Sequence, residues 1–330
     1  AAQILAFITI FSFVTQWPVE IALLITLTLV VGYTCIGGMM GDIYTDSIMA
    51  LVIIVGLSVL FFAVMGEAGG IGPALQSIDP ARLKLFSAEE GFWSQLDAWT
   101  LPVFGSLVAQ ESMSRLLSSR SPSDARKACL LGAGLYFVVG LMPLLIGLVG
   151  STRIAPVEDS DMFILTLAQE TLSPALYAVF LAALLSAILT TMDTTLMAAT
   201  SLAGRNIVLP MLREASERKR IMVCRIIVAA VGVFCSYVAI AGGSIFSLVE
   251  MASSFGAGGF LICVLAGLYT RFGGKLAALA TLATGVVLTI VMDYVLEVEA
   301  PFLIALAGCV IVFAVTAMIE SRLKNPLPPL

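Results

Sequence analysis

LSAILTTMDTTLMAATS, residues 185–201, sets five threonines and an aspartate into an otherwise apolar run of membrane length. Ala187, Thr190, Thr191 and Thr194 follow the i, i+3, i+4, i+7 spacing that puts them on one helical face, so three hydroxyls and one carbonyl can converge on a small cation. A single threonine in a helix satisfies its hydroxyl on the carbonyl four residues earlier and needs no ligand. Three on one face beside Asp193 favour an ion site. The helix starts at Ser173-Pro174, a capping serine followed by a first-turn proline. Asp193 then falls about five turns in, near the bilayer midplane, where an ionised carboxylate costs at least ~2.5 kcal/mol. It is therefore expected to face a partner or a cavity.

The surroundings are hydrocarbon. The chain is 60% hydrophobic with a mean hydropathy of +1.06, and its apolar runs repeatedly reach the roughly 20 residues that cross a bilayer. The pattern predicts an all-α polytopic membrane protein with nine whole spans, at 19–38, 44–65, 98–118, 127–150, 174–203, 221–241, 244–270, 275–293 and 300–319. The first apolar run, residues 1–14, is too short to cross. It has neither an initiator Met nor a basic segment before it, and a truncated N-terminus is the expectation.

Charge placement tests the count independently, since Lys and Arg collect in alternate, cytoplasmic loops. Arg115, Arg120, Arg126 and Lys127 flank one loop, and Arg205, Arg213, Arg218, Lys219, Arg220 and Arg225 the next but one. Arg271 with Lys275, and Arg322 with Lys324, complete four clusters that hold fourteen of the 17 basic residues. A miscounted helix would scramble this alternation. The net charge of −5 thus reflects asymmetry across the membrane, and no basic face for nucleic acid is implied.

Several chemistries drop out. The chain has no His, and its six cysteines are scattered singly through apolar runs, which disfavours a transition-metal site, a disulfide framework and a His-based triad. No phosphate-binding glycine loop is present, so an ATP-driven motor is disfavoured as well. Polar and broken detail inside helices is what remains. In LDAWTLPVFGSLVAQESMSRLL, residues 96–117, Pro102 and Gly105 lie mid-span ahead of Gln110 and Glu111. Proline removes a backbone donor and frees carbonyls near residues 98–101. That stretch is either a packing kink or a solute-facing break, with Trp99 and Phe104 placed to stack on or shield a ligand. Glu250 is a further acid inside an apolar span, and it either lines a pathway or pairs near a helix end.

These stretches resemble the sodium:solute symporter family. LTTMDTTLMAATSLAGRNI (189–207) is similar to its core motif, and YTCIGGMMGDIYTDSIMALVIIVG (33–56) to its tyrosine, double-glycine and Thr-Asp segment. QESMSRLLSSRSPSDARKACLLGAGLYFVVGLMPLLIGLVG (110–150) resembles its loop and following helix, and LAGLYTRFGGKLAALATLATGVV (265–287) its late hairpin. The order matches along nearly the whole chain.

The resemblance implies a LeuT-type inverted-repeat bundle lacking its first core helices, with solute and Na⁺ bound near the midplane where the first helix of each repeat is interrupted. The whole chain would form one transmembrane domain: a partial helix at 1–14, the remainder of the first repeat at 19–65, the second repeat at 98–270 and two added helices at 275–319. Carried over by position, the Ala187 carbonyl and the Thr190 and Thr191 side chains hold the main Na⁺, and Asp46, Asp193 and Thr194 a second. Asp46 has a structural alternative, because Thr45-Asp46 reads as a helix start where an acid suits the dipole. Trp99, Pro102, Phe104, Gly105 and Gln110 would form the solute side.

Met39 and Met40 stand where many members carry a basic residue after the double glycine. No sugar-binding pattern surrounds Trp99 to Gln110, so an amino acid or carboxylate is favoured over a sugar. The implied activity is Na⁺-coupled symport of a small polar solute across the cell membrane, with no bond chemistry. A sensory input domain of a membrane histidine kinase and a proton-coupled carrier using Asp193 are the alternatives.

Overall fold

In a bilayer core without water, apolar runs must satisfy their own backbone N–H and C=O groups, and helices do so within one segment. The computed structural model describes residues 1–86, 91–107, 109–154, 157, 159–211 and 216–324, with the backbone alone for 33, 36–43, 110, 111, 114, 209, 323 and 324. Every regular element among them is helical. The order is α1 (Ala2–Thr15), α2 (Val19–Glu67), α3 (Ile71–Gln76), α4 (Phe92–Leu107), α5 (Gln110–Leu117), α6 (Pro122–Gly150) and α7 (Phe163–Thr171), then α8 (Pro174–Ala203), α9 (Leu209–Met211), α10 (Glu217–Ala241), α11 (Ile245–Ser254), α12 (Ala257–Tyr269), α13 (Lys275–Ile290) and α14 (Pro301–Lys324).

Seven segments among the described residues are long and apolar enough to cross a membrane. Of the nine expected spans, 19–38 and 98–118 are not among these seven, and 244–270 is among them although a glycine turn divides it. Residues 19–38 are the first part of α2, whose helical backbone continues through 39–43 and puts Asp46 inside a helix instead of at a helix start. Glycine lowers helix propensity by only about 1 kcal/mol per residue, so the glycines of GGMMGD do not by themselves end a helix. Residues 98–118 divide between α4 and α5, and 244–270 between α11 and α12, where Gly256 takes φ +74. That left-handed turn suits glycine, which has no Cβ to clash. Ser173 occupies the capping position before Pro174 without making a side-chain cap bond. All six cysteines are free thiols.

The helices sort into two compact units. The first comprises residues 1–83 and 116–248. Its core has one cluster built from α1, α2, α8 and α10 around Phe7, Val30, Ile188, Met192 and Leu196, and a second around Leu60, Val64, Ile146, Leu167 and Phe180. Burial of this kind removes apolar surface at about 25 cal/mol per Å² in water; in lipid, close packing and satisfied polar groups carry more of the association. Small residues provide that closeness. A Cβ added at Gly56 of α2 would collide with the Ala183 methyl of α8, so that methyl packs directly on the α2 backbone there. The same helices also meet at Thr34 and Asp193. The two contacts are about 33 Å apart along ideal helix on α2 and about 15 Å apart on α8, so α2 does not run straight alongside its partner. At the Glu67 end of α2, Arg153 pairs with that carboxylate at 3.1 Å.

The second unit comprises residues 84–115 and 249–330. The expected late hairpin is present as α12 and α13. A Cβ at Gly259 would come within 2.7 Å of the Thr281 carbonyl oxygen, and one at Gly285 within 2.9 Å of the Gly259 nitrogen. The helix starts are held by carboxylates. Asp97 of α4, itself buried, accepts from Leu303 N at 2.7 Å and Phe302 N at 3.4 Å at the start of α14. The Glu320 carboxylate accepts from Ala277 N at 3.4 Å at the start of α13. Each places negative charge at the positive end of a helix dipole.

Candidate ion and solute site

Residues 174–203 hold their polar groups on a continuous helix because the straight-chain and alanine residues between them are strong helix formers and the hydroxyls bond back onto the same helix. Thr190 Oγ1 donates to the Ala187 carbonyl at 3.0 Å, and Thr191 Oγ1 donates to the same carbonyl at 2.9 Å. The Ala187 oxygen also faces the helix's own N–H four residues on. Three donors therefore share an acceptor with two lone pairs. Thr190 is half-buried and Thr191 exposed. Rotation of either hydroxyl away from the carbonyl would expose its oxygen lone pairs with no backbone hydrogen bond of the helix broken. Hard cations take all-oxygen sets of this kind.

One turn further on, Asp193 is 4% exposed. Thr34 Oγ1, on α2 and 7% exposed, donates to its Oδ1 at 2.5 Å, in the range of a charge-assisted O–H···O⁻ bond. Thr34 was not among the residues expected here. It lies 159 positions from Asp193, beyond the reach of any local spacing rule. Its one signal was membership of the quoted 33–56 stretch. Thr194 and Asp46 are both half-buried, and Asp46 sits twelve residues past Thr34 on the same helix. Thr195 bonds back to Thr191 O at 2.8 Å and Met192 O at 3.1 Å. A cavity of about 230 Å³ opens on another stripe of α8, that of Met192, Thr195, Leu196 and Ala199, with Ile4, Val30 and Val231 on its other walls; none of Ala187, Thr190, Thr191 and Thr194 lines it.

The expected solute residues fall in the second unit. Trp99 is 52% exposed and Phe104 half-buried on α4. Pro102 lies within α4, which runs on to Leu107, so the helix does not end at residues 98–101, where proline frees its carbonyls. Proline removes the helical donor to the Ala98 carbonyl; in the turn before it Thr100 Oγ1 bonds to Leu96 O at 2.8 Å and Asp97 O at 3.1 Å. Gly105 serves an approach between segments: a Cβ there would come within 2.9 Å of the Ser253 carbonyl oxygen. Gln110 begins α5, while its side chain and that of Glu111 lie outside the described residues, as do those of Met39 and Met40. Glu250 is exposed on α11. Among the described residues no group of three or more Cys, Asp or Glu is placed to hold a metal.

The family model of the sodium:solute symporter family matches residues 1–318. The sodium/pantothenate symporter of Haemophilus influenzae is 28% identical over 203 residues, 60% of this chain and 42% of its own length. The high affinity choline transporter 1 of Homo sapiens is 26% identical over 267 residues, 73% of this chain and 44% of its own. The high-affinity proline transporter PutP of Bacillus subtilis is 26% identical over 274 residues, 79% and 57% respectively. The chain thus spans about half the length of the curated relatives it matches. The solved substrate-bound outward-open state of a Na⁺-coupled sialic acid symporter superposes with a TM-score of 0.76 over 96% of this chain and 71% of that one, at 16% identity. That likeness is one of fold.

Proposed function

On the premise that the chain belongs to the sodium:solute symporter family, we propose that it works in Na⁺-coupled symport of a small polar solute. It is a multi-pass membrane protein of a transporter family and not an enzyme. The observation that carries the reading is the family match over residues 1–318, and the α8 threonines are where it can be tested. Ala187, Thr190 and Thr191 form the α8 half of the main Na⁺ site, and loading exchanges two weak internal hydrogen bonds for ion–oxygen contacts. Asp193, Thr194 and Asp46 form a second Na⁺ site, with Thr34 as the hydroxyl that satisfies Asp193 while the ion is away.

In this reading residues 19–65 are the later part of one repeat, 98–270 the inverted repeat and 275–319 two further helices, all within a LeuT-type bundle. Trp99, Pro102, Phe104, Gly105 and Gln110 face the solute across the α4–α5 interruption. Relatives named for pantothenate, proline and choline support a small organic solute, and an amino acid or carboxylate fits better than a sugar. Na⁺ binding favours the outward-facing state, and the ion and solute leave together on the inner side. Each Na⁺ adds about 2.3 kcal/mol per 100 mV of potential.

The test is uptake of radiolabelled proline, choline and pantothenate by cells producing the protein, with external Na⁺ or N-methylglucamine, for the parent, Thr190→Ala and Thr191→Ala. One solute should enter only with Na⁺, and each variant should need roughly tenfold more Na⁺, the equivalent of about 1.4 kcal/mol. Unchanged Na⁺ dependence in both variants overturns the site. Uptake indifferent to Na⁺ but steep in pH moves the coupling to a proton on Asp193.

A further inference from the structure

We propose that the cavity between the first half of α10 and the Thr34 turn of α2 binds an anionic phospholipid, with Arg225 taking the headgroup phosphate. The cavity measures about 340 Å³ and is walled by Cys35, Arg220, Ile221, Cys224, Arg225 and Val228, with Thr34 at its inner side. Ile221, Cys224, Arg225 and Val228 repeat at i, i+3, i+4, i+7, so one stripe of α10 presents a guanidinium between apolar groups. Arg225 makes no hydrogen bond or ion pair among the described residues, whereas Arg220 has a partner.

Depth decides the kind of anion. From Arg225 to Ala241, where α10 ends, is about 24 Å of helix, less than the roughly 30 Å hydrocarbon thickness. With Ala241 at the far boundary, the Arg225 backbone lies just inside the hydrocarbon, and its long side chain extends the charge to phosphate level. A guanidinium matches phosphate oxygens two at a time. Ile221 and Val228, on either side of it, offer acyl-chain contact that a free phosphate would not use. Arg218 and Lys219 at the start of α10 belong to the basic cluster assigned to the cytoplasmic face, where anionic lipid concentrates. Among the described residues no acid lines this cavity, and Asp193 is the hydrogen-bond partner of its Thr34.

The experiment is thermal unfolding of the full chain in nanodiscs of phosphatidylcholine alone or in equal parts with phosphatidylglycerol. Phosphatidylglycerol should raise the midpoint by about 3 °C. Arg225→Gln should lose most of that increment, and the double variant Arg218→Gln/Lys219→Gln should keep it. Full retention in Arg225→Gln, or equal loss in the double variant, overturns the proposal. So does an equal increment from inorganic phosphate in phosphatidylcholine discs, which would make the ligand a free anion. If Arg225→Gln does not fold, native mass spectrometry of the unaltered chain from the mixed lipid decides: preferential retention of phosphatidylglycerol supports the site, and equal retention of both lipids removes it.

Discussion

The α8 face and the α12–α14 hairpin unit both keep polar groups in a lipid setting, and they do it in opposite ways. In the hairpin unit two carboxylates take backbone N–H groups as their target: Asp97 at the start of α14 and Glu320 at the start of α13. Glycine-to-backbone contacts at Gly259 and Gly285 fix the spacing. A backbone donor cannot turn away, so those bonds are permanent. On α8 the partners are hydroxyls, which both donate and accept and rotate about one bond. Thr190 and Thr191 share a carbonyl that already has a helical donor, and Asp193 meets the hydroxyl of Thr34. The same economy of satisfied polar groups produces a rigid scaffold in one unit and an exchangeable set in the other.

That contrast is easiest to break where packing is tightest. Gly259→Ala puts a methyl 2.7 Å from the Thr281 carbonyl oxygen and 3.2 Å from Leu282 Cα, and the resulting separation of α12 and α13 should cost about 3 kcal/mol, seen as a lower unfolding midpoint in detergent. Asp97→Ala should cost about 2 kcal/mol through two unmatched N–H groups and a lost dipole contact, with Asp97→Asn recovering part. Thr34→Val removes the hydroxyl donor of a buried acid and should cost about 1–2 kcal/mol, while Thr34→Ser restores the parent midpoint. A Thr34→Val penalty as large as that of Asp97→Ala would mean that the α8 acid is as structural as the hairpin acids. The smallest effect should come from Thr190→Ala or Thr191→Ala, below about 0.5 kcal/mol in stability, even though the same changes should shift Na⁺ dependence strongly. A large stability loss in either would mark these hydroxyls as scaffold.

Much of this was legible from residue order, and particular residues show where legibility ended. The polar helix was expected at 174–203 and runs Pro174–Ala203, because proline at its start and uninterrupted helix formers define it locally. The back-bonds of Thr190 and Thr191 to Ala187 are the ligand-free arrangement that i, i+3, i+4 geometry also allows. The helix carrying Pro102 does not end at residues 98–101 but runs on to Leu107, since proline marks a weak point while the surrounding contacts decide whether the helix yields there. The α11–α12 break was not anticipated even though Gly256 carries it; in an apolar run one glycine reads as packing until its φ is known. Thr34 was out of reach for a different reason: its role is set by tertiary contact across 159 positions.

The packing of the Ala183 methyl on Gly56 makes a fulcrum of that crossing. Helices in touch there can tilt but not approach, so any rocking of α8 against α2 grows with distance from the crossing. Asp193 is ten residues away, about 15 Å along α8, and a tilt of about 5° over that arm displaces it by about 1.3 Å. That is more than the 2.5 Å bond to Thr34 tolerates before it opens. A hinge too tight to compress thus converts a small angular movement into the making or breaking of one hydrogen bond at the acid.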